Sequence, residues 1–422
     1  MKLLGVPLAL LVFFVAPILG HFNYSKDAAL SNPLPNTDFS DGNLPHLLTK
    51  RASTSCDKSA GSASKGRHVA YYQVADAQRR HCDKMTPNQL KIEGLTHLNL
   101  AFATFDPATF QLRPENPSDL NVYAEFTALK SKKLQTWISV GGWAFSEPGV
   151  TRKAWSNMAE KPETRAKFIN SAKAFMRQHG FQGLDLRWEF PGAWDRGGRS
   201  GDRANHLLLV KELKKAFGND YGLSVAVPAT KDYLQHFDTA NLQSQVDWFN
   251  IMTYDLHGVW EGEYGVRTLT FSEYAIADPQ QPQGIVRPHT DLRDTEVALQ
   301  SLLSTVDASK VNLGLAYYAR GYTLSDTNCR AMGCNFKAPS NQGACSEFEG
   351  YLMNSEVEAI IEQKSLTPKL IKEAAVKLIT WEDQWVAYDD DETYAIRQEF
   401  ANSHCLGGTF IWSLDYGSRR DG

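Results

Sequence analysis

Short runs of apolar, β-branched and aromatic residues recur along the chain from residue 67 onward, separated by segments with helical spacing. Most of the runs are apolar almost throughout, which is typical of parallel strands covered on both faces. The eight predicted strands are His68–Gln73, Leu95–Phe102, Leu134–Val140, Gly183–Glu189, Leu223–Pro228, Val246–Met252, Val311–Tyr318 and Gly408–Leu414. Between the third and fourth strands the spacing predicts a helix over 162–178, with Pro162 in its first turn and Gly180 at its end.

Eight strand–helix alternations predict an α/β fold, a (β/α)8 TIM barrel over residues 67–422. This length exceeds the roughly 250 residues typical of the fold, so insertions must supply the surplus. The long gap after the seventh strand, residues 320–376, contains three cysteines and predicts a small disulfide-tied lobe. A doubly wound open sheet is the alternative, but no Gly-x-Gly-x-x-Gly motif opens a helix after the first strand.

The first twenty residues follow a different pattern. A basic Lys2 precedes an apolar run from Leu3 to Leu19, and the small residue Gly20 follows it. This arrangement predicts a secretory signal peptide over residues 1–20. An uncleaved membrane anchor is the alternative, because the run is only just long enough to span a bilayer.

The next segment, residues 21–51, is rich in Asn, Pro, Asp and Ser and ends in the dibasic pair Lys50-Arg51. We interpret it as a pro-segment removed after Arg51, with a plain linker as the alternative. A Ser-rich linker over residues 52–66 then leads into the barrel.

Composition narrows the class of protein. Of the 422 residues, 42% are apolar, which is enough to build a core and excludes a disordered chain. The net charge is −4 with no long basic block, so we do not expect nucleic acid binding. Six cysteines form no Cys-x-x-Cys pair and lack a companion His at zinc spacing, which favours disulfides in an exported protein but does not choose their pairing.

The fourth predicted strand ends with ionisable residues at alternate positions, Asp185, Arg187 and Glu189. Because a strand alternates faces, all three point the same way, into the barrel mouth where TIM-barrel catalytic groups lie. Three such groups on an inward face are costly to desolvate and must satisfy one another or a ligand. We predict a functional role for Glu189, with a structural salt-bridge ladder as the alternative. For Arg187 the sequence favours neither the functional role nor the structural one.

Other strand ends carry aromatic and polar residues. They include Gly141-Gly142-Trp143 after the third strand, Met252-Thr253-Tyr254-Asp255 at the sixth, and Trp412 with Asp415 at the eighth. Rings that stack on sugars and acids that bind hydroxyls are the pattern expected of a carbohydrate cleft.

Several spaced motifs in this order carry a resemblance to a known family. They are Ser139-x-Gly141-Gly142, the strand-four motif, Pro191-Gly192 followed by Asp195-Arg196-Gly197-Gly198, Met252-Thr253-Tyr254-Asp255-Leu256-His257-Gly258, Tyr318-x-Arg320, and Gly407-Gly408 before Trp412. With them, the chain from about 67 to 416 resembles the family 18 glycoside hydrolases, in particular the secreted fungal chitinases of class V that are related to killer-toxin subunits. The resemblance implies an α+β insertion after the seventh barrel strand and a cleft for β-1,4-linked N-acetylglucosamine.

The resemblance also implies roles for single residues. The family's mechanism is retaining and substrate-assisted, with Glu189 protonating the leaving oxygen, Asp185 as a further catalytic carboxylate and Tyr254 orienting the acetamido oxygen. Substrate contacts are implied at Tyr71, Trp143, Met252, Asp255, Arg320 and Trp412. Neither a cofactor nor a metal is implied, and the cysteines 329, 334 and 345 are implied to staple the turn after the seventh strand.

This chain departs from the family's strand-four pattern, D-x-x-D-x-D-x-E, at two positions. Gln182 replaces the first aspartate, which is a mild loss, and Arg187 replaces the third. The mechanism needs an anion at the third position, beside the oxazolinium ion that forms from the substrate's acetamido group. Losing one such stabiliser costs about 3–4 kcal/mol, and a cation should cost more. We also expect Arg187 to pair with Glu189 or Asp185 and to hold the acid ionised.

The sequence therefore predicts a secreted, extracellular chitinase-like protein that binds chitin or chito-oligosaccharides, with strongly impaired hydrolysis. The first alternative is an active endochitinase that uses Glu189 as general acid. A toxin subunit or inhibitor-like partner protein is a further alternative. We expect a monomer with no nucleic acid partner and no stable membrane association.

Overall fold

The computed structural model describes residues 62–263 and 284–417. The predicted signal peptide (1–20), the predicted pro-segment (21–51) and residues 52–61 of the predicted linker lie outside the described residues, as do Cys56 and residues 418–422.

Strands and helices alternate along the described part of the chain. Its strands are β1 (Arg67–Gln73), β2 (His97–Phe105), β3 (Leu112–Pro114), β4 (Gln135–Gly141), β5 (Gly183–Arg187), β6 (Gly222–Pro228), β7 (Trp248–Met252), β8 (Val311–Ala316), β9 (Tyr318–Leu324), β10 (Phe336–Pro339), β11 (Tyr351–Met353), β12 (Lys369–Ile371), β13 (Val376–Trp381), β14 (Gln384–Tyr388) and β15 (Gly408–Trp412). Its helices are α1 (Val74–Arg79), α2 (Leu120–Ala128), α3 (Ala154–Glu160), α4 (Pro162–His179), α5 (Asp202–Phe217), α6 (Lys231–Leu234), α7 (Thr239–Leu242), α8 (Trp260–Glu263), α9 (Leu292–Leu303), α10 (Asn354–Lys364) and α11 (Asp391–Ser403).

Eight of the described strands close into a barrel. They follow the order β1, β2, β4, β5, β6, β7, β8 and β15, every neighbouring pair is parallel, and β15 returns to β1. Each of the eight predicted strands overlaps one of these strands, so the predicted (β/α)8 TIM barrel is confirmed. The carboxyl ends of all eight strands therefore open at the same end of the barrel.

The sequence of helix α4 explains where the helix begins, where it ends and which of its faces is buried. It begins at Pro162, whose missing N–H is not needed in a first turn, and it ends where Gly180 adopts a φ of +80° and donates its N–H to the Met176 carbonyl. Its buried residues recur at helical spacing and include Phe168, Ala172 and Phe175. The boundaries agree with the sequence prediction to within one residue.

A second, antiparallel sheet follows the seventh barrel strand, β8. Its order is β10, β9, β14, β13 and β12, and β11 pairs with the first half of β9. Apolar clusters of its own surround Tyr322 with Trp385 and Leu352 with Val386. Together with α10 it forms the expected α+β insertion, and its strand β9 begins two residues after β8 ends.

Disulfides tie the insertion together and to the barrel. Cys329 pairs with Cys334 inside the insertion, whereas Cys345 pairs with Cys82, which follows α1. Cys405, just before β15, is also disulfide-bonded. In the described part of the chain, no helix is long and apolar enough to cross a membrane.

One buried histidine gives a testable pH dependence. His206 of α5 is fully buried against Trp188 and Phe237, with ring centroids 5.7 and 5.2 Å away, and neither ring nitrogen has a hydrogen-bond partner among the described residues. Burial lowers its pKa to about 3. Below pH 6.5 the unfolded chain therefore binds a proton that the folded chain does not, and stability falls as the pH falls.

We expect His206→Leu to remove this acid sensitivity. At pH 5 the variant should have lost about 2 kcal/mol less unfolding free energy than the parent, because each pH unit contributes about 1.4 kcal/mol. Urea titrations at pH 7 and pH 5 measure the difference. The control is His404→Gln: burial lowers the pKa of His404, but the hydrogen bond that its ring donates to Glu296 raises the pKa overall. The stabilisation from protonated His404 is present at low pH and is lost as the pH rises. Between pH 7 and pH 5, His404→Gln should therefore lose more unfolding free energy than the parent, the opposite of His206→Leu.

Candidate functional site

The site is built on β5, whose alternate residues face the inside of the barrel. Asp185 lies deepest, Arg187 lies above it, and Glu189 follows the strand at the mouth. All three are buried, with Arg187 only 3% and Glu189 only 5% exposed. The observed placement agrees with the alternation read from the sequence.

Asp185 anchors a polar network in the barrel centre. Its Oδ2 accepts hydrogen bonds from the hydroxyls of Tyr71 and Ser139, each at 2.8 Å. Its Oδ1 accepts from the hydroxyl of Ser224 at 2.7 Å and from the amide of Asn250 at 3.2 Å. Four barrel strands thus contribute donors to one carboxylate, and Tyr71 lies fully buried beneath the cleft rather than on its surface.

The Arg187 guanidinium occupies the floor of the barrel mouth. Its Nε donates to Oε1 of Glu189 at 3.0 Å and its Nη2 to the Met252 sulfur at 2.7 Å. Its central carbon lies 4.3 Å from the ring centroid of Trp412, a close cation–π contact. Within the described residues its Nη1 has no hydrogen-bond partner. Arg187 therefore covers Trp412, the ring implied to lie under a bound sugar.

Glu189 differs from the sequence expectation in the net direction of its pKa shift. Burial raises its pKa above the usual range, and Arg187, with Arg196 second, lowers it without reversing the effect. Arg187 acts in the expected direction, toward the ionised form, but desolvation outweighs the ion pair and the net shift of the pKa is upward. The expected ion pair is present, and Arg187 forms it with Glu189 rather than with Asp185.

A second wall of the site joins the barrel to the insertion. Asp255, three residues after β7, accepts a hydrogen bond of 2.7 Å from Nε of Arg320 on β9. Burial raises the pKa of the Asp255 carboxyl, but Arg320 and His289 hold it well below its usual range. Between this pair and Arg187 lies Tyr254, whose pKa is raised by burial. The structure thus brings Tyr254, Asp255 and Arg320 together, although they come from both sheets.

The opposite rim presents Trp143. Gly141 and Gly142 turn the chain sharply at φ values of +107° and +84°, and the Gly142 N–H donates to the Arg187 carbonyl at 2.9 Å. A Cβ on Gly142 would lie 2.5 Å from the Phe102 ring, so only glycine allows this approach. The turn leaves Trp143 50% exposed. The rim tryptophan is therefore more exposed to a ligand than Trp412, which is only partly exposed.

Two sequence-derived residues lie away from the cleft. Gln182 precedes β5 at the other end of the barrel, where its side chain accepts from the Thr136 N–H at 3.2 Å. Asp415, expected at the rim, is wholly buried and binds Arg80, with Nη1 of Arg80 3.1 Å from Oδ2. The expectation that Asp415 faces a ligand is wrong, because the turn after β15 directs it inward.

Sequence reasoning missed four contributors: Phe102, Ser224, Asn250 and His289. Ser224 and Asn250 interrupt otherwise apolar strands, and that interruption was the available signal. Across the described ranges, 62–263 and 284–417, no group of three His, Cys, Asp or Glu side chains is placed to hold a metal ion.

A parallel barrel with a buried glutamate at its mouth, flanked by aromatic rings, is typical of proteins that bind or cleave carbohydrates. Comparison with known proteins gives the family. Residues 67–417 match the model of the glycosyl hydrolases family 18. The chain therefore belongs to this family.

Individual relatives support the assignment. The chain is 29% identical to chitotriosidase-1 of Mus musculus, over 84% of this chain and 74% of the relative. It is also 29% identical to the probable chitinase LysM11 of Penicillium expansum, but spans only 32% of that protein's length. Among solved structures, the second catalytic domain of the group II chitinase of Ostrinia furnacalis matches with a TM-score of 0.72 and 27% identity, over 83% of this chain and 90% of the other.

Proposed function

We propose that this protein binds chitin or chito-oligosaccharides in the barrel cleft and that its hydrolysis of β-1,4-N-acetylglucosamine linkages is strongly impaired. The main support is the position of Arg187. Its Nε lies 3.0 Å from Oε1 of Glu189 in an ion pair, and its guanidinium carbon lies 4.3 Å from the ring centroid of Trp412. A related chitinase domain, from Ostrinia furnacalis, has been solved with a chito-oligosaccharide, at 27% identity and a TM-score of 0.73. That likeness supports the ligand class.

Substrate-assisted hydrolysis demands two things of this site. Glu189 must give its proton to the leaving oxygen, and a nearby anion must balance the positive charge that develops on the substrate's acetamido group. Arg187 places a second positive charge where the anion is needed, and the repulsion between two like charges is strong in a desolvated site. Arg187 also fills the space over Trp412, so a sugar cannot stack there without displacing it.

One observation favours a second function, an active endochitinase. Burial raises the pKa of Glu189, which is the direction that favours the protonated carboxyl a general acid needs. In that case another group would have to orient the acetamido oxygen, and Tyr254 is the neighbour placed to do so.

The proposal extends to origin and localisation. The disulfides of the described chain and the extracellular setting in which disulfides persist support secretion, through a signal peptide over residues 1–20 and removal of residues 21–51. The motifs after β5 and β7 and the likeness to a Penicillium expansum relative support a fungal protein of the killer-toxin-related class V group. We propose a monomer that needs no cofactor.

The test is a paired measurement on the purified protein. We expect calorimetry to show binding of chito-oligosaccharides, and we expect turnover of the same oligomers at least about 10²-fold below that of the Ostrinia furnacalis domain assayed in parallel. Turnover within about tenfold of that control would favour the endochitinase instead. No binding to any oligomer would refute both.

A further inference from the structure

Trp194 is a large apolar side chain left in solvent close to the barrel mouth. It is 71% exposed, the highest value among the described tryptophans, and lies in the turn Trp194–Arg196 that follows β5. In the described ranges it makes no contact with another ring or with a guanidinium. Neither its packing nor the catalytic scheme explains an indole in this position.

The turn that carries Trp194 is held firmly. The next residue, Asp195, accepts a hydrogen bond of 2.6 Å from the Tyr233 hydroxyl, and its carbonyl accepts one of 2.8 Å from Arg152. Gly197 closes the turn at a φ of +76°, where a Cβ would lie 2.3 Å from the Arg152 carbonyl oxygen. Because the backbone turn that carries the exposed ring is already rigid, little conformational entropy is lost when the ring binds a ligand.

Arg196 connects this turn to the cleft rim. Its Nη2 donates to the Trp143 carbonyl at 2.6 Å, and its guanidinium lies 3.5 Å from the Trp143 ring centroid. Its Nη1 binds Glu147 at 2.7 Å, and its Nε donates to the Glu189 carbonyl at 3.3 Å. The two exposed indoles, Trp143 and Trp194, are therefore parts of one rigid rim that adjoins the proton donor.

The floor of the cleft offers less exposed aromatic surface for a sugar than the rim does. Trp412 is only partly exposed, and Arg187 lies 4.3 Å from its ring centroid, so a pyranose ring has less of this indole to stack on. A glycan entering this cleft finds its free aromatic surface on the rim, and an extended β-1,4-linked polymer is long enough to contact successive rings.

We propose that Trp194 is a sugar-stacking platform that continues the Trp143 rim, so that oligosaccharide binding in this protein is displaced outward from Trp412. The ligand is a β-1,4-linked N-acetylglucosamine chain, and the inference rests on the proposed function. Trp194 acts by contact with a pyranose face beyond the one at Trp143, so it contributes only when the chain is long enough to reach it.

The test compares Trp194→Ala with Trp194→Phe and with Phe348→Ala, a variant of another exposed aromatic residue, 65% exposed on the insertion. Calorimetry would use the two-sugar and six-sugar oligomers. Trp194→Ala should weaken six-sugar binding about tenfold, which corresponds to about 1.4 kcal/mol and lies within the range of a single ring-stacking contact. Two-sugar binding should stay unchanged, Trp194→Phe should keep most of the affinity, and Phe348→Ala should bind like the parent.

Failure of this inference differs from failure of the proposed function. If Trp194→Ala binds the six-sugar oligomer like the parent while Trp143→Ala weakens it, Trp194 is not a platform and the proposed function stands. If the parent binds no oligomer, the proposed function itself is refuted. Because the Trp194 side chain is exposed, its replacement should leave the melting temperature unchanged, and the same samples verify this.

Discussion

Replacing Arg187 with aspartate should raise the hydrolysis of chito-oligosaccharides by about 10²–10³-fold. The change removes the cation beside Glu189, uncovers Trp412 and supplies an anion where the acetamido group must be stabilised. An electrostatic stabiliser of this kind is worth about 3–4 kcal/mol in the transition state. A carboxylate at position 187 would also raise the pKa of Glu189 further, since a like charge disfavours ionisation.

Three matched variants separate these effects. Arg187→Ala uncovers Trp412 without supplying an anion, so it should improve binding of short oligomers and restore little turnover. Arg187→Lys keeps the charge and should stay as slow as the parent. Adding Glu189→Gln to Arg187→Asp should abolish the restored activity, because the proton donor is then lost.

The contrary result is informative. If Arg187→Asp folds, as judged by its melting temperature, and still hydrolyses no faster than the parent, the block does not lie at Arg187. If Arg187→Ala is as active as Arg187→Asp, occlusion of Trp412 rather than charge is the cause.

The barrel could be predicted from the sequence because parallel strands covered on both faces give nearly continuous apolar runs. Each of the eight runs overlaps a barrel strand. The inward direction of Asp185, Arg187 and Glu189 followed from the two-residue period alone. These features depend on local pattern, and local pattern is what a single sequence displays.

Features that depend on the balance of long-range contacts were not predictable in this way. The direction of the Glu189 pKa shift depends on whether burial outweighs Arg187, and a sequence does not give the depth of burial. In the sequence, Asp415 cannot be distinguished from a carboxylate on the cleft rim. The turn after β15, which the sequence does not reveal, directs its side chain inward to Arg80. Trp194 was not distinguished from a core tryptophan, because exposure is a property of the assembled rim.

Asp185→Ala should cost the largest stability loss of any single change in the cleft, about 3–5 kcal/mol of unfolding free energy. The carboxylate is wholly buried and is the acceptor for donors from four barrel strands, namely Tyr71, Ser139, Ser224 and Asn250. Removing it takes the acceptor from the hydroxyls of Tyr71, Ser139 and Ser224 in a buried site, whereas the Asn250 amide keeps a hydrogen bond of 2.9 Å to the Tyr71 hydroxyl. Each orphaned group costs about 1–3 kcal/mol, less where a hydroxyl can turn elsewhere.

Denaturant titration of three variants tests whether the carboxylate has this role. Asp185→Asn keeps one acceptor oxygen but turns a donor toward the network, so its loss should be intermediate. Asp195→Ala is the control, because among the described residues that carboxylate accepts a side-chain hydrogen bond only from the Tyr233 hydroxyl, and it is half-buried. Its loss should be about 1 kcal/mol. Should Asp185→Ala prove no less stable than Asp195→Ala, the donors satisfy one another, and Asp185 is then retained for the ligand rather than for the fold.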